Sequence, residues 1–379
     1  MIRTFSVKNY KNFRETLTID FTKVREYHYN AYCVKNDLIS KMIVYGKNAV
    51  GKSNLGTALQ DIVYTTVLSP YGYLRNDKYL YKNANAETKD LVEFQYSLLI
   101  DNKVIDYMYA KKNEMTVVAE RFFVDGTLIF AYDTLKGTSD FSNVALVNAG
   151  GLDWDGFLDM AVNGEKAENE NTGNPTALRY IMYNTVQNEH GIIYQLRQFI
   201  NGMRFSDSVK ISTYGMSSTG KTLLEDENLQ KFQDFLNEYG VACDLIALEK
   251  PDGEKDIYFD YAKPLHFWGN MSSGTAALTK FYLNYLYGNK PTFVFIDEFD
   301  AYYHFELSEK IVDLLETQFD CQVILTTHNT NLLSNSIMRP DCFMILDHGK
   351  LTPICDATNR ELRQGHNLEK LYKNGEFDA

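Results

Sequence analysis

Residues 46–53 read GKNAVGKS, which fits the phosphate-binding pattern GxxxxGK[ST]. In this pattern, successive backbone N–H groups at the start of a helix surround a phosphate, and the glycines let the backbone approach it closely. Residues 41–45 (KMIVY) form a short apolar run typical of a buried strand, and apolar residues recur at helical spacing from Leu55 to Val63. The sequence therefore predicts a phosphate loop between a buried strand and an amphipathic helix.

The pattern assigns a role to each part of this loop. Lys52 is expected to bridge the β- and γ-phosphates of ATP, and the Ser53 hydroxyl is expected to bind Mg²⁺. The residues expected to contact ATP are Asn48, Ala49, Val50, Gly51, Lys52, Ser53 and Asn54.

A second match to the same pattern lies at 215–222 (GMSSTGKT). It is followed by Glu225, Asp226 and Glu227, whose negative charges would repel a triphosphate. We interpret this segment as a polar surface loop. A functional basic loop or a second nucleotide contact is the alternative.

Two carboxylates follow the apolar run 293–296 (FVFI). The carboxyl end of a buried strand is where an α/β sheet places its chemistry. We expect Asp297 to hold Mg²⁺, directly or through water, and Glu298 to orient and deprotonate the attacking water.

The next strand, 322–326, leads to His328, which is placed to hydrogen-bond the γ-phosphate. A lone histidine at a strand end would more often be structural, and the acidic pair one strand earlier favours the functional interpretation.

The segment MSSGT at 271–275 precedes another helical pattern. Small residues and hydroxyl groups at a helix N-terminus favour anion binding. The alternative is an ordinary helix capped by a serine.

Composition limits the classes of protein that remain. The 379 residues carry 38 Lys+Arg and 50 Asp+Glu, a formal net charge of −12, which disfavours a broad binder of the nucleic-acid backbone. The 45% hydrophobic content excludes global disorder.

No apolar run is long enough to span a membrane, and the N-terminus lacks the pattern of a signal peptide. Five scattered cysteines disfavour disulfides and zinc, so we expect a cytoplasmic protein.

The pattern along the chain predicts an α/β protein. Residues 91–131 alternate as an antiparallel meander, with a hairpin turn at Asp125-Gly126. Residues 137–175 are rich in Gly, Asn, Asp and Glu, and we expect a mobile surface segment, either a lid or a loop. Helical periodicity continues from 176 to about 240. The last third alternates strands and helices, which implies a mostly parallel sheet.

The order of the motifs resembles that of ABC-type ATPase heads. It consists of the phosphate loop at 46–53, SSGT at 272–275, IDE at 296–298 and TTH at 326–328. The opening IRTFSVKNYKNF is similar to the first strand of the RecF-like and chromosome-maintenance (SMC-like) ATPases. Within that class the chain most resembles AAA-family ATPases of bacterial phage-defence and abortive-infection systems, of the RloA/AbiL type.

The resemblance implies a P-loop NTPase fold with three parts. Residues 1–136 would hold the first part of the ATPase head, with the phosphate loop and an antiparallel β lobe. Residues 137–265 would form an acidic loop and a helical insertion, and residues 266–379 would complete the head with the signature segment, the acidic pair and the switch histidine.

The resemblance also implies a mechanism. Two heads would close over two ATP molecules, with Ser272, Ser273 and Gly274 of one copy facing the γ-phosphate bound by the other. Asp300 would contact the partner head. Gln95 is the best candidate for a further Mg²⁺ ligand, and the alternative is that it is a solvent-facing residue of its strand. The signature has one glycine and carries Thr275 where glutamine is usual, which is expected to tune the rate of a slow ATPase.

The function implied is that of a switch or sensor subunit in an anti-phage defence system. It would dimerise on ATP and control a separate effector, a nuclease or toxin encoded nearby. The chain shows no long heptad run for a coiled-coil arm and no recognisable nuclease motif. The main alternative is a RecF-like repair or recombination ATPase that binds DNA directly. A transporter subunit and a non-hydrolytic scaffold are further alternatives, which the RecF-like opening and Glu298 respectively disfavour.

Overall fold

The computed structural model describes most of the chain in seven stretches. These are residues 1–68, 81–166, 174–186, 188–207, 220–224, 227–288 and 290–377. Two large sheets dominate them, one antiparallel and one mainly parallel, and helix α1 packs between the two. In the part of the chain covered by these stretches, no helix is both long and apolar enough to cross a membrane.

The described residues contain eighteen strands, which are numbered in chain order. They are β1 (Ile2–Lys8), β2 (Leu17–Asp20), β3 (Val34–Lys35), β4 (Leu38–Ile39), β5 (Lys41–Tyr45), β6 (Val92–Ile100), β7 (Lys103–Lys111), β8 (Val117–Val124), β9 (Thr127–Asp133), β10 (Thr138–Asp140), β11 (Met203–Asp207), β12 (Leu245–Glu249), β13 (Lys255–Phe259), β14 (Leu265–His266), β15 (Phe293–Asp297), β16 (Gln322–Thr327), β17 (Phe343–Asp347) and β18 (Lys350–Pro353).

The helices are numbered in the same way. They are α1 (Lys52–Thr66), α2 (Trp154–Lys166), α3 (Ala177–Asn184), α4 (Ile192–Asn201), α5 (Asn228–Glu238), α6 (Phe267–Asn270), α7 (Ser273–Phe281), α8 (Phe305–Thr317) and α9 (Leu368–Lys373). A π-helical turn at Tyr282–Leu286 continues α7.

The mainly parallel sheet has the strand order β11-β15-β16-β5-β17-β18. Neighbouring strands are parallel except for the final pair, β17 and β18. Strand β5 is central and buried at every position, as its apolar sequence predicts. Because the strands β15, β16 and β5 run in one direction, their carboxyl ends meet at one edge. This is an α/β P-loop fold, as the sequence predicts.

The antiparallel sheet has the order β10-β9-β8-β7-β6-β1-β2 and contains the predicted meander. Its strands alternate, so one face is buried and the other meets solvent. Phe94 and Tyr96 lie on the buried face, and the Tyr96 hydroxyl donates to the carbonyl of Ala58 in α1 at 3.0 Å. The sheet is therefore attached to the helix that follows the phosphate loop.

A fully buried polar network strengthens this attachment. Asp61 of α1 accepts hydrogen bonds from the Lys111 ammonium at 3.1 Å and from the hydroxyls of Tyr109 at 2.8 Å and Tyr81 at 2.7 Å. Lys111 and Asp61 are 2% and 0% exposed, and burial lowers the pKa of Lys111 while the charge of Asp61 opposes that shift. A fully buried ion pair is tolerated here because additional hydrogen bonds from the tyrosine hydroxyls satisfy the carboxylate oxygens of Asp61.

The segment 137–175 differs from the mobile segment that we predicted, over its described residues. Strand β10 extends the antiparallel sheet, and α2 packs against that sheet. Phe157 of α2 is completely buried, and the Trp154 ring stacks on Phe141 with centroids 4.2 Å apart. Over these residues the segment is therefore not the loop that we predicted, because a few aromatic side chains anchor a segment whose average composition is polar. Residues 167–173 of the segment lie outside the described residues.

The predicted insertion at 137–265 also contributes to the main sheet. Strand β11 lies within it in sequence and pairs in parallel with β15. Strands β12, β13 and β14 form a separate three-stranded sheet that packs near α5 and α6. The parallel sheet therefore draws its strands from all three predicted parts of the chain.

The buried network yields a stability prediction. We expect Lys111→Met to lower the free energy of unfolding by roughly 3–5 kcal/mol, because it leaves the Asp61 carboxylate buried without its cation. Urea unfolding followed by circular dichroism measures this change. Lys136→Met is the matched control, since Lys136 pairs with Asp133 at 2.7 Å but its side chain is 72% exposed. A control that destabilises as much as Lys111→Met would contradict the role given to the network.

Candidate nucleotide-binding site

The phosphate loop connects β5 directly to α1. Ala49 and Gly51 have positive φ angles of 65° and 110°, which turn the backbone sharply before the helix begins at Lys52. A Cβ at Gly46 would lie 2.7 Å from Val50 Cγ2 and 2.9 Å from the Leu346 carbonyl oxygen. Only glycine fits there, which gives the first glycine of the motif a steric reason.

The Lys52 side chain is held inside the loop. It is 5% exposed, and its ammonium donates to the carbonyls of Gly46 at 2.9 Å and Lys47 at 3.2 Å. The same ammonium lies 4.0 Å from the Glu298 carboxylate. A cation enclosed by backbone at the start of a helix is suited to an anionic ligand such as a polyphosphate.

The Ser53 hydroxyl and the Asp297 carboxylate meet in a short hydrogen bond. The second oxygen of Asp297 accepts from the Thr326 hydroxyl at 2.5 Å. A serine hydroxyl and a carboxylate are oxygen ligands of the kind that Mg²⁺ prefers. These residues therefore fit a bound Mg²⁺, as the sequence predicts for Ser53 and Asp297.

Glu298 follows Asp297 in a left-handed backbone conformation, with φ of 45°. Its amide donates to the Thr326 hydroxyl at 2.9 Å, so one threonine holds both acidic residues. Such a conformation is unfavourable for a residue other than glycine and, outside ordinary turns, strained backbone of this kind clusters at functional sites. The Glu298 side chain is 27% exposed and is accessible to a water molecule.

Asp300 and His328 lie at the same edge of the sheet. Asp300 is 8% exposed, and one of its carboxylate oxygens accepts from the Thr327 hydroxyl at 2.9 Å. His328 is exposed immediately beyond the carboxyl end of β16. Because β16 lies between β15 and β5, His328 is on the strand between the acidic pair and the phosphate loop.

Asn12 is a contact that sequence reasoning missed. It lies between β1 and β2, and its amide donates to the Val50 carbonyl at 2.9 Å and accepts from the Asn54 amide at 2.6 Å. A Cβ at Gly51 would overlap the Asn12 side chain. Thr326 was missed for a similar reason, because nothing in the sequence marks either side chain as the partner of a distant loop.

The signature residues begin α7. The Ser272 hydroxyl accepts from the Thr275 amide at 3.1 Å, and Ser272 and Ser273 are both exposed. This is the geometry of a serine-capped helix, the alternative that the sequence left open. Within the described part of a single chain, the signature residues make no hydrogen bond to the residues expected to hold Mg²⁺ and the attacking water. The signature residues are Ser272, Ser273 and Gly274, and the others are Ser53, Asp297 and Glu298.

Gln95 lies on the exposed side of its strand, which is the alternative to a Mg²⁺ ligand that the sequence left open. Gln95 is exposed on β6, between the buried residues Phe94 and Tyr96. Side chains alternate along a strand, so Gln95 points to the face of the antiparallel sheet that is turned away from α1. The α1 face is the one that leads to Ser53.

The second GxxxxGKT match lies mostly outside the described residues, which omit 208–219. Its last part is described. Lys221 is in an ion pair with Glu254 at 2.8 Å, with both side chains more than half exposed. Gly220 packs closely against the Trp268 ring. An exposed lysine paired with a carboxylate favours the surface-loop interpretation.

The strand order, the loop after β5 and the acidic pair after β15 define the fold as that of a P-loop NTPase. The sequence profile of one family, described as "AAA domain, putative AbiEii toxin, Type IV TA system", matches residues 166–334. This span includes the signature, the acidic pair and His328, and it begins after the phosphate loop. Among curated proteins, no sequence matches the chain.

Similar solved structures include heads of chromosome-maintenance proteins. The SMC head domain from Thermotoga maritima is 12% identical, with 93% of this chain and 98% of that chain covered and a TM-score of 0.42. A Smc head domain with an extended coiled coil, bound to the C-terminal domain of ScpA derived from Pyrococcus furiosus, is 14% identical, with 93% and 95% covered and a TM-score of 0.46. The fold assignment depends on the topology of this chain alone.

Asn12 yields a prediction about nucleotide affinity. We expect Asn12→Ala to weaken ATP binding about three- to tenfold, because the loop loses one net hydrogen bond worth about 1 kcal/mol to its conformation. Isothermal titration calorimetry with ATP and Mg²⁺ measures the affinity. Asn143→Ala is the control, since Asn143 donates a similar bond to the Leu128 carbonyl at 2.8 Å in the antiparallel sheet. Equal affinities for the two variants would exclude a role of Asn12 in binding.

Proposed function

We propose that this protein is an ATP-binding and ATP-hydrolysing switch that dimerises on ATP and controls a separate effector protein. The observation that carries this proposal is the meeting of Lys52, Ser53, Asp297 and Glu298 at one edge of the parallel sheet. Together these residues supply a phosphate-binding cation, two oxygen ligands and a carboxylate that can accept a proton. ATP is the ligand that uses all three.

The contacts support a division of labour within the site. Lys52 and the loop amides would hold the phosphates, while Ser53 and Asp297 would hold Mg²⁺. When bound, Mg²⁺ would neutralise the negative charge that collects on the phosphates. Glu298 would orient a water molecule and accept its proton. Thr326 would hold both acidic residues in place through its hydroxyl.

Exposure of the signature supports the dimer. Ser272 and Ser273 are exposed at the N-terminus of α7, where backbone amides and the helix dipole favour an anion. These residues make no hydrogen bond to the acidic pair within the described chain. A second copy would bring them to the γ-phosphate, so ATP would lie between two heads. Hydrolysis would then remove the shared phosphate and release the dimer.

A defence role with a separate effector is supported by the family match and by the sequence. The description of the matching family, "AAA domain, putative AbiEii toxin, Type IV TA system", links an ATPase domain to a toxin–antitoxin system. The chain itself shows no recognisable nuclease motif, and it lacks the heptads of a coiled-coil arm. We therefore propose that its output is contact with an effector protein, a nuclease or toxin encoded nearby.

Nucleotide binding is tested by the two lysines of the two GxxxxGK motifs. We expect Lys52→Ala to abolish ATP binding, because the loop loses its enclosed cation, and Lys221→Ala to bind as the unchanged protein does. Calorimetry measures both affinities, and thermal unfolding confirms that both variants fold. ATP binding that survives Lys52→Ala would overturn the assignment of the loop.

Hydrolysis is tested by Glu298→Gln. We expect the rate of phosphate release to fall about 10²–10⁴-fold, as for loss of a general base, while ATP binding persists. Light scattering should then find a stable ATP-dependent dimer. Glu306→Gln is the control, because it makes the same exchange of carboxylate for carboxamide at an exposed residue in the first turn of α8. A Glu298→Gln protein that turns over normally would refute the role of Glu298.

The effector is tested by purification with the product of a neighbouring gene, with and without ATP. Full ATP-dependent protection from phage by this chain alone would contradict a separate effector. Salt-dependent binding of duplex DNA that requires ATP would instead favour the repair alternative. The net charge of −12 makes that outcome unexpected.

A further inference from the structure

Tyr45 ends strand β5 immediately before the phosphate loop. It is in register with Thr327 on the adjacent parallel strand β16, so the two side chains project on the same face of the sheet. The Thr327 hydroxyl donates to the Oδ2 atom of Asp300 at 2.9 Å. The Asp300 carboxylate is therefore held over the face that also carries the Tyr45 ring.

Both groups have an unused hydrogen-bonding atom. The Tyr45 hydroxyl and the Oδ1 atom of Asp300 are buried, and neither has a hydrogen-bond partner among the residues that the structure describes. The two residues are 1% and 8% exposed. Buried polar atoms without partners are rare because they have lost their water. A phenol hydroxyl donates and a carboxylate oxygen accepts, so these two atoms are complementary.

The charge of Asp300 also acts on the Tyr45 hydroxyl. Burial raises the pKa of Tyr45 well above its usual value, and among nearby charges Asp300 adds the largest further increase. Glu369 of α9 adds a smaller one. Among the described residues, Asp300 combines the larger effect on Tyr45 with a buried oxygen, Oδ1, that accepts no hydrogen bond.

We propose that Tyr45 is a positioning residue for Asp300, and that its hydroxyl donates to Oδ1 when ATP occupies the phosphate loop. The bond would connect residues 298–304 to the strand that enters the loop. This inference rests on the proposed function, because Asp300 is the residue expected to contact the partner head.

Backbone hydrogen bonds within residues 298–304 would carry the effect of such a bond from Asp300 to Glu298. The Ala301 amide donates to the Glu298 carbonyl at 3.0 Å, and the Tyr303 amide donates to the Asp300 carbonyl at 3.0 Å. Glu298 is at one end of this turn and Asp300 is near its centre. Fixing Asp300 would therefore fix both the partner-facing surface and the backbone of the proposed general base.

The test removes one hydroxyl from a buried ring. Tyr45→Phe is compared with Tyr132→Phe, a buried tyrosine of the antiparallel sheet, both in the Glu298→Gln background. Hydrogen–deuterium exchange of residues 299–304 is measured with and without ATP and Mg²⁺. We expect ATP to slow exchange about tenfold in the parent and in Tyr132→Phe, and less than about twofold in Tyr45→Phe. The affinity for ATP should be the same in all three.

A double-mutant cycle tests whether Tyr45 acts through Asp300. The dimer dissociation constant with ATP is measured for Tyr45→Phe, Asp300→Ala and the double variant, because asparagine at position 300 would keep an oxygen that accepts from the tyrosine hydroxyl. We expect Tyr45→Phe to weaken the dimer about tenfold when Asp300 is present and to have no further effect in the Asp300→Ala background, since the hydroxyl then has no carboxylate to position. A double variant whose dimer dissociation constant rises by the product of the two single effects would overturn the inference. ATP that slows hydrogen–deuterium exchange at residues 299–304 equally in Tyr45→Phe and in the parent would overturn it too.

The same measurements separate this inference from the proposed function. A Glu298→Gln parent that binds no ATP or forms no dimer contradicts the proposed switch. In another outcome, the parent binds ATP and dimerises, while Tyr45→Phe does so equally well and shows the same slowing of hydrogen–deuterium exchange at residues 299–304. That result contradicts only the role of Tyr45.

Discussion

The hydrogen bond between Ser53 and Asp297 joins two elements that are 244 residues apart in the sequence. It connects the first turn of α1 to the end of β15, and so it fixes the phosphate loop against the acidic edge of the sheet. Glu298, which follows Asp297, can reach the vicinity of Lys52 only because of this arrangement. The proposed nucleotide site depends on that junction, with Thr326 bracing it from the adjacent strand.

Helix α1 links this site to the rest of the molecule. Its N-terminus carries Lys52 and Ser53, and its middle carries Asp61, which anchors the antiparallel sheet through Lys111 and two tyrosines. The turn after β1 returns to the same helix through Asn12 and Asn54. One helix therefore contacts the phosphate loop and both sheets, which is the arrangement that the proposed switch would use.

The sequence was informative where a residue's role is local and uncertain where it depends on distant partners. The phosphate loop, the buried β5 and the antiparallel meander follow from short-range patterns, and the structure contains each of them. The face of Gln95 could not be predicted from its residue type because strand alternation decides it, and α2 was missed because aromatic contacts outweigh a polar composition. Asn12 was missed because its partner is 38 residues away along the chain.

We propose that two copies of this chain share ATP through the signature and the phosphate loop. The decisive experiment is a structure of the Glu298→Gln protein with ATP and Mg²⁺. We expect a dimer in which the γ-phosphate near Lys52 and Ser53 of one copy is contacted by Ser272–Gly274 of the other. A nucleotide contacted by one chain only, or bound away from residues 46–53, would contradict it.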